Sequence, residues 1–337
     1  MKYVRLALLV MLLFCLAAGL MQPGAYHKTV YLMDTLCTVT VYGSNAEAAT
    51  NAVFARLHEI DKKCNAHQPE SDLSRLNDAP SGIPVPLDDE LYFLLQQSLD
   101  FGRLSGGHFD VTLLPVSKLW GFGAEIPKLP AREAIENALS KTGTDKLIVD
   151  DTQKTVTKLT DGVCFDLGAV VKGYAADEAV RILQQHGVEH AFLDLGGNIA
   201  VMGGKPQSFL QRLLGGKKTT DFAIGVQKPD AVRGTVAETV FLSDGFVVTS
   251  GSYERFFEEN GKRFHHILDP KTGYPAESGF QSVTIVSKSG LTADMASTAL
   301  FVAGKEELPA VYALCDEIIS IDDAGALQYV KRGDDHE

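Results

Sequence analysis

The sequence predicts an α+β fold, with antiparallel sheets packed against helices in one main domain over residues 25–337. Two observations predict it. Segments of strand character follow one another across short turns, as 146–150 and 154–159 do on either side of Asp151-Thr152-Gln153. The second half is a run of such segments, at 191–195, 199–202, 222–227, 236–242, 246–249, 263–268 and 282–286, before a single late helix. Hairpins mixed with scattered helices belong to α+β architectures, whereas regular alternation of strand and helix would indicate a doubly wound parallel sheet.

At the N terminus, Lys2 and Arg5 precede an almost wholly apolar, uncharged run over 6–21, so residues 1–24 read as a signal peptide or a membrane anchor. The run is shorter than the ~20 apolar residues typical of a membrane span. Leu12-Leu13-Phe14-Cys15 is similar to a lipoprotein cleavage site, with leucine three before the cysteine. Lipidation of Cys15, ordinary cleavage near 17–19 and an uncleaved anchor all fit. The expected location is outside the cytoplasm, on the periplasmic face of the inner membrane.

Residues 29–42 alternate β-branched and polar residues as a strand does, and in 46–64 Val53, Leu57, Ile60 and Cys64 share one helical face. A polar loop is expected through Asn65-Ala66-His67-Gln68-Pro69 and Ser71-Asp72-Leu73-Ser74-Arg75. Asp88 or Asp89 then starts a helix that runs to the Gly106-Gly107 stop. After the 146–159 hairpin, 163–167 predicts a strand and about 170–186 a helix ending at Gly187. Residues 203–220, rich in Gly, Lys and Gln, predict a long surface insertion. The late helix covers about 293–302 and stops at Gly304, and strands at 318–321 and 327–330 close the chain.

With 337 residues, 45% hydrophobic and 22% charged, the chain is long enough for a full core. Its formal charge of -12 leaves no basic face for a nucleic-acid backbone, which excludes that class of partner. An anionic nucleotide would need a metal ion, helix N-termini or a few placed cations to hold it. Beyond Cys15, the cysteines Cys37, Cys64, Cys164 and Cys315 form no C-x-x-C pair, which disfavours zinc and dithiol chemistry. They read as small core residues, although export would allow two of them to join.

Four segments could carry chemistry. Asp294 and Thr298, spaced i, i+4, put a carboxylate and a hydroxyl on one face near the start of the late helix. Hard oxygens beside a helix N-terminus suit Mg2+ with a phosphate, while helix capping by Asp294 is the simpler reading of the same residues. Asp166 to Tyr174 is a strand–glycine–helix junction with Lys172 one turn into the helix, a geometry that serves phosphates but also occurs in ordinary folds. Asp194-Leu195-Gly196-Gly197-Asn198 is a second glycine-rich turn, and none of these stretches has a G-x-G-x-x-G or Walker spacing. His265 and His266 lead into the Asp269-Pro270 and Thr272-Gly273 turn; strand alternation sends the two rings to opposite faces, so one can face a cleft as a proton acceptor or both can be structural. A serine hydrolase is not supported, since no G-x-S-x-G elbow is present.

Read together, Met33-Asp34-Thr35, Ser71 to Arg75, Phe109 to Thr112, Leu119 to Phe122, Asp166 to Tyr174, Asp194 to Asn198, Thr249 to Tyr253, His266 to Gly273 and Thr292 to Thr298 resemble the ApbE family of FAD:protein FMN transferases in order and spacing. The resemblance covers about 30–304. It implies Mg2+ held by Asp294, Thr298 and the carbonyl of Ala169, with FAD phosphates completing the shell. It implies FAD contacts from Met33, His67, His108, Phe109, Asp110, Asp166, Lys172 and Ile267, and a fold resembling the T-fold. Three residues depart from the family pattern: Asp34 stands where Gly is frequent, His67 where Tyr is frequent, and Ser297 where some members have Asp. The implied reaction moves FMN from FAD to an acceptor threonine and releases AMP, with His266 as the candidate proton acceptor. The implied partners are flavin-bearing subunits of redox-driven ion pumps and related electron-transfer proteins. Two alternatives are an FAD pyrophosphatase that gives FMN and AMP and a non-catalytic FAD-binding lipoprotein.

Overall fold

The structure is a computed structural model that describes residues 24–332 except 123–126, 209, 210, 212, 216, 218 and 307. The leader with Lys2, Arg5 and Cys15 lies outside the described residues.

The alternating stretch at the start of the domain is two strands, where one over 29–42 was expected. The chain reverses at Met33 and Asp34, both with positive φ (52° and 57°), so β1 (Ala25–Leu32) and β2 (Thr35–Tyr42) pair as a two-residue hairpin. Two successive left-handed residues match the twist of the flanking strands, but Met-Asp lacks the Asn-Gly or Asp-Gly signal that normally announces such a turn.

The first half continues with α1 (Ala46–Cys64), α2 (Asp72–Asp78), β3 (Val85–Pro86), α3 (Asp89–Leu104), α4 (Leu114–Trp120), α5 (Arg132–Leu139), β4 (Leu147–Asp150) and β5 (Thr155–Lys158). Then come α6 (Val171–Gln185), β6 (His190–Leu195), β7 (Asn198–Met202), β8 (Lys205–Pro206), β9 (Thr219–Thr220), β10 (Phe222–Gln227) and β11 (Val236–Leu242). The remainder is β12 (Gly245–Gly251), β13 (Phe256–Glu259), β14 (Lys262–His265), β15 (Phe280–Ser287), α7 (Gly290–Ala303), α8 (Pro309–Tyr312), β16 (Glu317–Asp322) and β17 (Leu327–Lys331).

An eight-stranded sheet in the order β1-β2-β6-β7-β12-β15-β16-β17 organises the molecule, antiparallel at every junction. The fold is α+β. Strand alternation divides its side chains between two layers. Val39, Leu193, Ala200, Val248 and Ile285 enter the main core with residues of α1, α6 and α7, such as Leu57, Ala176 and Ala296. Val201, Val247, Val286 and Ile319 point the other way and are covered by Ile224 and Val240 of the β10–β11 hairpin. A smaller cluster surrounds Trp120, which is fully buried against Phe264 and Ile135 and donates its indole N–H to the Gly273 carbonyl at 2.8 Å.

Three further expectations change. Residues 163–167 form no strand; Cys164 makes one isolated parallel bridge to Leu113, and the Asn77 side chain bonds both the N–H and the carbonyl of Phe165 at 2.7 and 2.9 Å. The segment expected as a loop at 71–75 begins α2, because the Ser71 hydroxyl caps the Ser74 N–H at 2.9 Å. The 263–268 strand ends at His265, so His266 and Ile267 lie in the following turn segment. In the 203–220 insertion, Lys205–Pro206 pairs with Thr219–Thr220. The described cysteines are free thiols, with Cys37, Cys64 and Cys315 buried.

Candidate functional site

Two helices build the centre of the site by supplying a carboxylate to each other. Asp177, on α6, accepts from the N–H groups of Gly290 and Leu291 at 2.7 and 2.9 Å and lies 3.3 Å from the Ser289 hydroxyl. Asp294, on α7, accepts from the Gly173 N–H in the first turn of α6 at 2.8 Å. Both contacts place negative charge where a helix end has unpaired N–H groups and positive dipole. The sequence placed Asp294 at the start of its own helix, as a possible cap. It lies in the second turn, and Ser289 is the cap, accepting from the Thr292 N–H at 3.2 Å.

The helices come this close because glycine faces glycine. A Cβ on Gly173 would stand 2.2 Å from the Gly290 carbonyl oxygen and 2.7 Å from Asp294 Cβ; one on Gly290 would stand 2.5 Å from the Gly173 carbonyl oxygen. Because Gly173 donates to Asp294, the Ala169 carbonyl four residues earlier is left outside the helix ladder. Asp294 is 4% exposed, and only one of its oxygens is engaged by the Gly173 N–H.

Thr298 lies one turn beyond Asp294 on the same face. The Ser250 hydroxyl, at the end of β12, lies 3.3 Å from the Thr298 hydroxyl and 2.9 Å from that of Ser297. Ser297 also donates to the Asp294 carbonyl at 2.9 Å, so this residue locks the helix turn. Asp294, Thr298 and the Ala169 carbonyl together are a hard-oxygen set of the kind Mg2+ takes, and they fit that ion. Among the described residues no three His, Cys, Asp or Glu side chains cluster as a metal site. With three oxygens, one of them a carboxylate, the set would leave half of an octahedral shell to other ligands.

His266 and Lys172 border this set. The His266 N–H donates to the Arg255 carbonyl at 3.0 Å, and its ring Nδ1 lies 3.3 Å from the same oxygen. A carbonyl can only accept, so Nδ1 carries the proton and Nε2 keeps its lone pair. The ring is partly exposed, yet loss of water around it, with the charges of Arg255 and Lys172 adding, pushes its pKa down to about 3. The imidazole is therefore neutral at physiological pH. Arg255 in turn donates to the Asp34 carbonyl at 3.3 Å, which ties the Met33–Asp34 turn to the His266 segment. Lys172 Nζ donates to the Gly168 carbonyl at 2.8 Å.

Asp166 and the His108–Asp110 stretch form a second group. The Asp166 N–H donates to the Val111 carbonyl at 2.7 Å, joining that residue to the His108–Asp110 stretch, while Asp166 Oδ1 accepts from the Gly168 N–H at 2.8 Å. Burial pushes the Asp110 carboxyl up, opposed by two donors of Thr112 at 2.6 and 2.7 Å. His108 is buried, with Nε2 lying 3.1 Å from Glu306 and 3.3 Å from Lys271. Phe109 packs edge-on against Phe101, and the side chains of Phe109 and Ile267 are both buried in the main core. His67 is exposed on the loop after α1, where its N–H donates to the Asn65 side chain, and no bond joins it to either group. Sequence reasoning missed Asp177 and Arg255 and named Ser250 only as part of the Thr249 to Tyr253 stretch, because their roles depend on partners distant along the chain.

The sequence model of the ApbE family matches residues 33–319. A FAD:protein FMN transferase of Treponema pallidum (strain Nichols) is 34% identical over 314 residues, covering 88% of this chain and 85% of the relative. One from Escherichia coli (strain K12) is 29% identical over 320 residues, covering 91% and 88%. The crystal structure of the ApbE protein from Thermotoga maritima superposes with a TM-score of 0.80 at 32% identity, covering 90% of this chain and 96% of that one. The flavinyl transferase ApbE of Pseudomonas stutzeri gives 0.76 at 28% identity, covering 93% and 96%. With the family's sequence model spanning most of its length, this chain belongs to the ApbE family.

Proposed function

We propose that this protein transfers the FMN moiety of FAD to a threonine hydroxyl of an acceptor protein, with Mg2+ at Asp294, Thr298 and the Ala169 carbonyl. The observation that carries the reading is this oxygen set beside the first turn of α6, where helix dipole and Lys172 favour a phosphate. Curated relatives bear the name FAD:protein FMN transferase. A bound Mg2+ would offset charge on the pyrophosphate. The threonine Oγ attacks the FMN-side phosphorus, a new P–O bond forms, the bond to the bridging oxygen breaks, and AMP leaves. His266 Nε2, with its lone pair free, is the proton acceptor for the hydroxyl in a reaction governed mainly by positioning and charge.

The proposed acceptors are flavin-bearing subunits of redox-driven ion pumps and related electron-transfer proteins, met on the periplasmic face of the inner membrane. The N-terminal leader would anchor the enzyme there, through lipid at Cys15 or as an uncleaved segment. Among the described residues no helix is long and apolar enough to cross a membrane.

The test is incubation of the protein with FAD, Mg2+ and a candidate acceptor, followed by AMP quantitation and mass analysis of the acceptor. AMP in equal amount to an FMN-bearing threonine supports the proposal. FMN and AMP without labelling, or bound FAD without AMP, would refute it in favour of a pyrophosphatase or a binder.

A further inference from the structure

Asn198 opens β7 directly after the Gly196-Gly197 turn and is 3% exposed. Its side-chain nitrogen is fully buried and bonds to no described residue. Buried amides in folded proteins almost always find partners, so one that has none in the protein meets an ordered water or a ligand, or is a cost borne for function. The strand register places it. Asn198 pairs with Val248, and Ala200 and Met202 of the same strand, like Val248, enter the main core, so the Asn198 side chain points to the helix layer.

Along β12 on that layer, Phe246 lies against Gly290 at the start of α7, while Ser250 reaches Ser297 and Thr298 two turns on. Val248 sits midway between these two contacts on β12. Asn198 occupies that level one strand closer to β6, at the sheet end that also holds the Met33–Asp34 turn, since a Cβ on Gly196 would touch Thr35. At the same end, the charges of Asp194 and Lys172 both act on Cys37.

Resting on the flavin-dinucleotide reading of this site, we propose that the Asn198 carboxamide is a ligand-binding group, donating a hydrogen bond to an oxygen of FAD. A flavin ring carbonyl and the FMN phosphate share the required chemistry, that of an acceptor held against a preformed buried donor. Such a donor raises ligand affinity at the expense of the empty protein's stability.

The experiment compares wild type, Asn198→Ala and Asn198→Asp by thermal unfolding with and without FAD and Mg2+, and by titration with riboflavin, FMN and FAD. The expected result is that Asn198→Ala melts at or above the wild-type temperature without ligand, while FAD binds roughly tenfold more weakly, the size of one buried hydrogen bond. Asn198→Asp weakens FAD further, because a carboxylate cannot donate and repels phosphate. Equal loss for riboflavin and FMN assigns the bond to the ring; loss for FMN alone assigns it to the phosphate. A lower melting temperature of ligand-free Asn198→Ala with unchanged FAD affinity would overturn the inference and make Asn198 structural. If wild type fails to bind FAD, the reading of the site fails first, and the two failures are distinguishable.

Discussion

Asp177 and Asp294 cap each other's helices, Asp177 of α6 on the Gly290 and Leu291 N–H groups and Asp294 of α7 on the Gly173 N–H. The two carboxylates make similar bonds, but their expected roles separate on mutation. Asp177 has both carboxylate oxygens engaged by protein donors, whereas one Asp294 oxygen has no donor among the described residues. Asp177→Ala leaves buried donors without partners and should cost about 2 to 4 kcal/mol of stability. Denaturant unfolding measures this; a change under about 0.5 kcal/mol would show that the cap is dispensable.

Asp294→Asn retains an oxygen for the Gly173 N–H and should leave the protein folded. It removes the anionic ligand, so FMN transfer should fall at least roughly a hundredfold, about 2.7 kcal/mol of barrier, with little recovery in excess Mg2+. A folded variant that transfers FMN at the wild-type rate would end the metal-site assignment.

Gly173→Ala tests the helix contact. Its Cβ would fall 2.2 Å from the Gly290 carbonyl oxygen, which is backbone and cannot swing aside. Overpacking of this kind costs about 1 to 3 kcal/mol and should push Asp294 away from the α6 terminus. The expected result is lowered stability together with weakened Mg2+ dependence of FAD binding, read by calorimetry at several Mg2+ concentrations. Wild-type values in both would mean the helices tolerate separation.

The pH dependence follows from His266. Its folded pKa is depressed from 6.5 to about 3, so the stability it contributes is complete above about pH 6.5 and is lost as pH falls toward 3. In that window the unfolded chain binds a proton that the folded chain does not. Burial pushes His265 in the same direction. His266→Gln should therefore reduce the slope of unfolding free energy between pH 6 and 4 by up to ~1.4 kcal/mol per pH unit. An unchanged slope in urea melts would show that His266 titrates normally in the folded protein.

Much of this architecture was legible in the sequence where periodicity and local chemistry agree. The α1 helix from Ala46 to Cys64, the β4–β5 hairpin and the strands β6, β7, β10, β11 and β15 follow from spacing alone. The i, i+4 pairing of Asp294 and Thr298 holds because both lie inside one helix. The failures have specific causes. Met33 and Asp34 take left-handed backbone without the usual turn residues, which hid the first hairpin. Residues 163–167 look like a strand by composition, yet the Asn77 side chain satisfies Phe165 in place of a ladder. The contact of Asp294 with α6 could not be read, because its partner, Gly173, stands 121 residues earlier. Asp177 carried no local signal, being one acid in a helix whose task is fixed by another helix.

That separation also governs when the protein becomes competent. Local pairs such as β1 with β2 need only neighbouring residues, but the α6–α7 contact closes a loop of more than a hundred residues, a slow step by chain entropy. A chain emerging from its N terminus therefore passes through a long interval with the sheet's first strands available and no α7 to complete the binding centre. FAD added during refolding should accelerate nothing before α7 docks and should stabilise only what forms after, so ligand capture serves as a clock for the final stage of folding.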